Sequence, residues 1–347
     1  TYLSAMVSFS SLACTLLAAT GVSAARPVAE HSAAFLEFTR TYAKSYCDGA
    51  AMPCEESMMR EAIFQENQAF IKTHNAKYEA GESSYYVATN QFADMTKEEF
   101  SQYLGYKPNP EDGSKKPTGF RYADYKAPTS MDWRETGAVS EIKNQGGCGS
   151  CWAFSATGAM EGIFSITTGE KAGKRKTTFS EQQLVDCDTM DGGCGGGNMD
   201  TAFEYVIENG GIDSEKDYPY VGADGTCDKT KEAKHVGFIT GYEDVPAMDE
   251  EALMKAVANQ PVSVAIEADQ SGFQLYAGGV FDGECGTALD HGVLAVGYDI
   301  TGDVPYWIIK NSWGETWGME GYMQMIMFKN QCGIGMNPSY PTMDDAG

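Results

Sequence analysis

The sequence predicts an α+β fold of two packed subdomains, a helical half followed by a β-rich half, with a mainly helical unit in front. Three observations carry this. Glu56, Arg60, Phe64, Asn67, Ile71 and Asn75 recur every three or four residues, which places all six on one slowly drifting stripe of a helix within residues 30–105. Residues 148–225 read mainly as helices and loops. Residues 234–340 then hold apolar or alternating strand candidates, Val262–Ile266, Gly292–Gly297 and Tyr306–Ile309 among them. Helices segregated from strands imply two layers with a cleft between them.

Taken in order, Leu3 to Ala19 is apolar and leads to the small residues Val22-Ser23-Ala24-Ala25. Residues 1–25 are therefore expected to be a signal peptide, shortened at its start, since the chain opens on Thr1 with no basic residue before the apolar run. No later run is long enough to span a bilayer, so a soluble mature product is expected. Residues 26–126 form the helical unit with its connection. Within it, Tyr85 to Phe92 alternates like a short strand, and Thr96 with Glu99 three residues on has the spacing of a capping box. Lys107 to Thr129 is rich in Pro, Gly, Lys and Asp, which describes an exposed, cleavable linker, taken as 107–126. Residues 127–347 make the two subdomains.

With 42% hydrophobic and 21% charged residues, the chain has ample material for a core. Its formal charge of −24 is uneven: from Ala127 onward 34 Asp plus Glu face 13 Lys plus Arg, a net of −21. Such an acidic surface argues against nucleic acid and anionic membranes as partners.

Seven of the ten cysteines follow Ala127, at 148, 151, 187, 194, 227, 285 and 332. The number is odd, so one is left unpaired within that region, and an unpaired thiol in a secreted protein is intermolecular or reactive. Six paired cysteines connect in any of 15 ways, which spacing does not decide. Zinc is the rival reading, because Cys148-Gly-Ser-Cys151 has metal-like spacing. No second close Cys/His pair accompanies it, and only His235 and His291 lie beyond Ala127, so no metal site is expected.

Three glycines precede Cys151 in Gln145-Gly-Gly-Cys-Gly-Ser-Cys151. Beyond it, Ala153, Phe154, Ala156, Met160, Ile163 and Phe164 recur at helical spacing up to a stop at Gly169. Cys151 thus starts a helix, where the dipole and free N–H groups favour an anion and lower a thiol's pKa. A thiol nucleophile needs a base, and the base needs an orienter. His235 sits in a polar stretch. His291 heads a strand candidate that turns near Thr301 into Tyr306–Lys310, and antiparallel pairing about Thr301 sets residue 291 opposite 311, an asparagine. The Asn311 oxygen would accept from one ring N–H and aim the other nitrogen at Cys151. The Cys151 backbone N–H and the Gln145 amide are candidate donors to a developing oxyanion.

Gln145 through Phe154 and Asn311-Ser312-Trp313-Gly314 resemble the papain family of cysteine proteases, its cathepsin L-like branch in particular. The resemblance covers about residues 35 to 340. It implies the papain-like two-subdomain fold with a β-barrel-like second half, and Cys151 as nucleophile, His291 as base, Asn311 as orienter and Gln145 as oxyanion donor. Trp313 would shield the Asn311–His291 contact and line the leaving-group side. Bridges Cys148–Cys194, Cys187–Cys227 and Cys285–Cys332 follow from the same resemblance. The stripe from Glu56 to Asn75 matches the interrupted helix motif of the family's inhibitory propeptide. Ala88-Thr-Asn-Gln-Phe-Ala-Asp94 is similar to its second motif, with Ala88 in place of the usual glycine. The propeptide would run through the cleft in reverse until acid loosens it and the linker is cut. Cys47 and Cys54, in an insertion before the helix, are a further candidate bridge.

Gly196 and Gly197 would offer backbone hydrogen bonds to an extended substrate, with Gly149 and Asp290 also in contact with it. Met199, Ala265, Leu289, Gly292 and Asn337 would line the pocket for the second residue before the scissile bond, implying Leu, Val or Phe there and no strong preference for Arg. Asn198 stands near that rim where an apolar residue is common. The implied partners are peptide and protein substrates, the chain's own propeptide and cystatin-like inhibitors. The implied molecule is a monomer of the secretory pathway, destined for lysosome, vacuole or the extracellular space. An endopeptidase working through a thioester needs no cofactor. The competing readings are an exopeptidase of the family and a catalytically silent scaffold. The intact Cys151, His291, Asn311 and Gln145 oppose the scaffold, and the scarcity of histidines opposes an occluding loop.

Overall fold

The computed structural model describes residues 30–49, 52–109, 120–169 and 178–343. The signal-peptide reading for 1–25 and the middle of the linker, 110–119, lie outside the described residues.

In the N-terminal unit, α1 (Ala33–Thr41) is capped by Ser32, and α2 (Glu55–Glu79) carries the predicted stripe. Every stripe position has a use. Phe64 packs on Phe35 and Phe38, with ring centroids 5.6 and 4.9 Å away. Arg60 bonds Glu56 and Glu99, each at 2.7 Å. The Asn67 amide donates to the Ala93 and Met95 carbonyls, and Asn75 bonds Val87 through both its amide groups. The polar members of the stripe thus satisfy the backbone of the segment that follows. A disulfide joins Cys47 and Cys54.

The strand expected over Tyr85 to Phe92 is shorter: β1 covers Tyr85–Val87. Asn90 ends it, because its side-chain oxygen accepts the Phe92 N–H and its carbonyl accepts the Ala93 N–H, turning the chain locally. Then α3 (Lys97–Phe100) starts at the predicted capping box of Thr96 and Glu99.

After the linker come β2 (Ser130–Asp132) and α4 (Trp133–Thr136). The helical half holds α5 (Cys151–Thr168), α6 (Glu181–Cys187), α7 (Met199–Asn209) and α8 (Lys229–Glu232). The β half follows as β3 (Gly241–Asp244), α9 (Glu250–Val257), β4 (Val262–Ile266), α10 (Ser271–Gln274), β5 (Tyr276–Phe281), β6 (His291–Asp299), β7 (Tyr306–Lys310), β8 (Tyr322–Ile326) and β9 (Ser339–Thr342).

The sheet runs β1-β5-β8-β7-β6-β4-β9-β3, with β2 pairing on β6. A barrel-like half was expected, but the sheet is not closed. β5 meets β8 over only two parallel pairs, and its other edge is taken by β1 of the N-terminal unit, Tyr85 against Gly279 and Tyr86 against Gly278. No edge of β5 is left for β3.

Helix α5 is buried on nearly all sides, as an apolar helix between two layers should be. Its fit against β6 needs Gly158, where a Cβ would come within 2.8 Å of the Leu294 side chain. Two apolar clusters result, one in the helical half around α5 to α7, the other in the β half. Phe35, Phe38, Phe64, Phe92 and Phe100 of the N-terminal unit belong to the second, so that unit shares the core of the domain it covers.

Candidate active site

The loop before Cys151 is anchored from below by Lys143, which pairs with Glu161 of α5 and Glu181 of α6 at 2.9 and 2.6 Å. The Cys148–Cys194 disulfide ties this loop to the glycine-rich turn 192–197, and Cys187–Cys227 and Cys285–Cys332 staple the two halves separately. Among the described residues Cys151 is the free cysteine, and it is the first residue of α5.

His291 opens β6, and its Nε2 lies 2.9 Å from Asn311 Oδ1. That oxygen also accepts the Ser312 N–H at 2.8 Å, which identifies it as the acceptor. The Nε2 atom therefore carries the ring proton, and Nδ1 is left with a lone pair. The expected register is corrected. Leu294 pairs with Lys310, and a bulge after Ala295 then shifts the ladder so that Gly297 pairs with Ile308. His291 lies opposite Ile266 of β4, and Asn311 sits just beyond β7. The two side chains still meet because an amide and an imidazole are long enough to reach diagonally across the strand ends. Trp313 stacks on the imidazole, ring centroids 4.6 Å apart, and closes the Asn311 contact off from water.

Sulfur and imidazole are neighbours across the two halves, since the Gly292 N–H donates to Cys151 Sγ at 3.4 Å. His291 Nδ1 itself has no hydrogen-bond partner, so the expected thiol–imidazole bond is not made in this covered state. The Gly105 N–H from the N-terminal unit takes a place on the sulfur at 3.3 Å instead. The expected low thiol pKa is likewise reversed. Burial pushes it up to about 11, against the backbone N–H groups of Gly292, Gly105 and Trp152, which lower it. Burial also brings His291 down to about 4, opposed by its bond to Asn311. Excluding water from both groups disfavours the thiolate–imidazolium pair, so the covered site holds neutral thiol and neutral imidazole.

What covers it is the chain itself. Gln145 Oε1 accepts from the Ser312 hydroxyl at 2.7 Å, which turns the amide nitrogen toward the Tyr103 carbonyl at 3.0 Å and the Cys148 carbonyl at 2.8 Å. Tyr106 N–H donates to the Asp290 carbonyl, Gly197 N–H donates to the Gly105 carbonyl, and Lys107 N–H donates to the Gly197 carbonyl, each at 2.9 Å. Tyr106 and Gly197 form a parallel bridge. Lys107, expected in the linker, is therefore held in the cleft. Gly196 does not bond this segment: its N–H goes to Gly193 and its carbonyl to Gly192, within its own turn. Gly149 packs against Gly105 so closely that a Cβ there would come 1.7 Å from the Gly149 oxygen. Tyr106, with Met199, Ala265 and Leu289, belongs to one buried apolar cluster, and its hydroxyl meets Asn337. Trp313 is capped by Phe92 and Phe100, both edge-on within 5.4 Å.

The sequence reading missed Gly105 and Tyr106. The signal was present as a glycine between aromatics in Tyr103-Leu-Gly-Tyr106, ahead of the polar linker.

Residues 127–342 match the papain family cysteine protease domain, and residues 35–100 match the cathepsin propeptide inhibitor domain. The chain belongs to the papain family of cysteine proteases. It is 51% identical over 295 residues to "Cysteine proteinase RD21A" of Arabidopsis thaliana, which spans 82% of this chain and 62% of that protein. It is 50% identical over 307 residues to "Cysteine endopeptidase RepA" of Oryza sativa subsp. japonica, 84% of this chain and 79% of that one. Among solved structures, the proform of the ragweed pollen allergen Amb a 11 cysteine protease superposes with a TM-score of 0.78 at 41% identity, covering 90% of this chain and 94% of the other. The likeness to a proform extends over the N-terminal unit, consistent with autoinhibition by the propeptide.

One consequence concerns Gln145. Replacing it by alanine removes a side-chain donor at the position that Tyr103's carbonyl occupies. In acid-matured protein kcat is expected to fall about 10²–10³-fold with KM little changed. A change confined to KM would make Gln145 a ground-state contact instead.

Proposed function

We propose that the chain is the precursor of a cysteine endopeptidase that its own propeptide holds shut. The observation that carries this reading is the occupied cleft: a peptide carbonyl on the Gln145 amide and a peptide N–H on the Cys151 sulfur. A polypeptide already lies where a substrate would.

With the cleft vacated, His291 Nδ1 takes the thiol proton and Cys151 Sγ attacks the scissile carbonyl carbon. Gln145 Nε2 and the Cys151 N–H bear the oxyanion. The amine departs with the proton from His291, leaving a thioester that water hydrolyses in the same manner. Asn311 orients the imidazole. Gly197 and Asp290 hold the substrate backbone, as they hold residues 105–107 here. Met199, Ala265 and Leu289 favour an apolar or aromatic residue two positions before the cut. No cofactor enters this scheme. Cystatin-like inhibitors would compete for the same cleft, and the active unit is a single copy. A secretory route to vacuole, lysosome or extracellular space is supported by the four disulfides among the described residues. No helix among those residues is long and apolar enough to cross a membrane.

Activation is expected to be driven by acid. Burial would raise Glu61, but bonds from His31 and Ser32 prevail and bring it down to about 2. Glu99 is lowered too, its burial outweighed by Arg60 and Thr96. A depressed carboxyl stabilises fully above its unfolded value, here about 4.5, and that support is lost as pH falls toward the folded value. Conversion by a trace of mature enzyme should therefore accelerate below about pH 4.5 and yield a new N-terminus near Ala127, after the exposed Asp124-Tyr125-Lys126. Glu99→Gln should convert quickly already near pH 6. N-terminal sequencing across a pH series checks both, and conversion independent of pH would remove the acid step from the scheme.

A further inference from the structure

The pocket that Tyr106 fills has a polar end. The Tyr106 ring shares one buried apolar cluster with Met199, Ala265 and Leu289, but its hydroxyl receives the Asn337 amide N–H at 3.0 Å and the Asn198 amide N–H at 3.4 Å. Asn198 cannot present its oxygen there. That oxygen caps α7, accepting the Asp200 N–H at 2.8 Å, so the amide nitrogen must face the pocket and the Lys107 carbonyl at 3.3 Å. With the Tyr106 ring in place Asn198 is 4% exposed, so a side chain seated there shuts its donors off from bulk water.

We propose that Asn198 and Asn337 together read a phenolic hydroxyl, so that the mature enzyme selects tyrosine over phenylalanine at the residue two before the scissile bond. The inference rests on the endopeptidase reading above and adds the substrate class. A phenyl ring fills the apolar walls equally well but brings no acceptor to the amides. A site built to bond a hydroxyl discriminates against the analogue that lacks it by leaving its own buried groups unpaired. An arginine side chain offers only donors and would meet the Asn198 N–H groups, which disfavours it as well.

The test compares acid-matured wild type with the Asn198→Ser/Asn337→Leu double variant on blocked Tyr-Arg, Phe-Arg and Leu-Arg reporter peptides. Serine keeps an oxygen to cap α7 while removing the longer amide N–H that reaches the phenolic oxygen. In wild type, kcat/KM for Tyr over Phe is expected to be on the order of tenfold, falling to near one in the double variant. A wild-type ratio at or below one overturns the proposal whatever the variant does. A tenfold ratio that survives in the double variant overturns the assignment to these amides. Wild type that alkylates at Cys151 yet turns over none of the three reporters overturns the endopeptidase reading, and this inference with it.

Discussion

Replacing Cys151 by alanine is expected to lower kcat on peptide reporters by a factor on the order of 10⁵–10⁶ and to leave the precursor unable to convert itself at acid pH. The size follows from the absence of a substitute. Among the described residues Cys151 is the free thiol, the other cysteines being held in disulfides. It is also the thiol that backbone N–H groups surround at the start of a helix facing His291. Alanine fits the same buried space, so folding should be untouched, and wild-type enzyme added in trace should still cut the variant's linker. An epoxide or alkylating agent should label matured wild type once and the variant not at all. Hydrolysis that persists in the variant would assign the chemistry to another group.

A second large effect is expected from one methyl group at Gly105. The Cβ of Gly105→Ala would come 1.7 Å from the Gly149 oxygen, and neither atom lies on a flexible side chain. The segment has to lift from the cleft. It then gives up the bond to the Cys151 sulfur, those to Gly197 and Asp290, and the burial of Tyr106. At about 1 kcal/mol for each of these four hydrogen bonds and about 2 kcal/mol for the ring, the closed state loses on the order of 6 kcal/mol, roughly 10⁴-fold in the closed-to-open ratio. The uncleaved variant should react with a thiol-directed reagent at neutral pH far faster than wild type. Labelling at the slow wild-type rate would show that Gly105 does not hold the cleft shut.

The Gly105 result separates what was legible from what was not. The helix of α2, the capping box at Thr96, the strand Val262–Ile266 and the helix start at Cys151 each rest on neighbours within a few positions, and the sequence pattern carries them. The pairing of His291 with Asn311 was reached by assuming an unbroken hairpin, whereas the ladder holds a bulge. The contact stands while the register does not, since long side chains tolerate a slip that the backbone records. Adjacent glycines are indistinguishable until the turn around them is built: in this covered state Gly197 bonds residues 105 and 107, whereas the Gly196 backbone groups stay within the turn.

The thiol shows the same division most clearly. Residue types and local spacing were enough to bring forward a thiol, an imidazole and an amide as candidates, and to establish the unpaired state of one cysteine, because those depend on chemistry carried along the chain. Whether that thiol is ionised depends on how much water reaches it, and here a segment 46 residues upstream excludes the water and supplies the competing N–H. Desolvation is a sum over everything packed around a group. It exists only once distant parts of the chain have met, so only the folded molecule could reveal that the same side chains are assembled and held inactive.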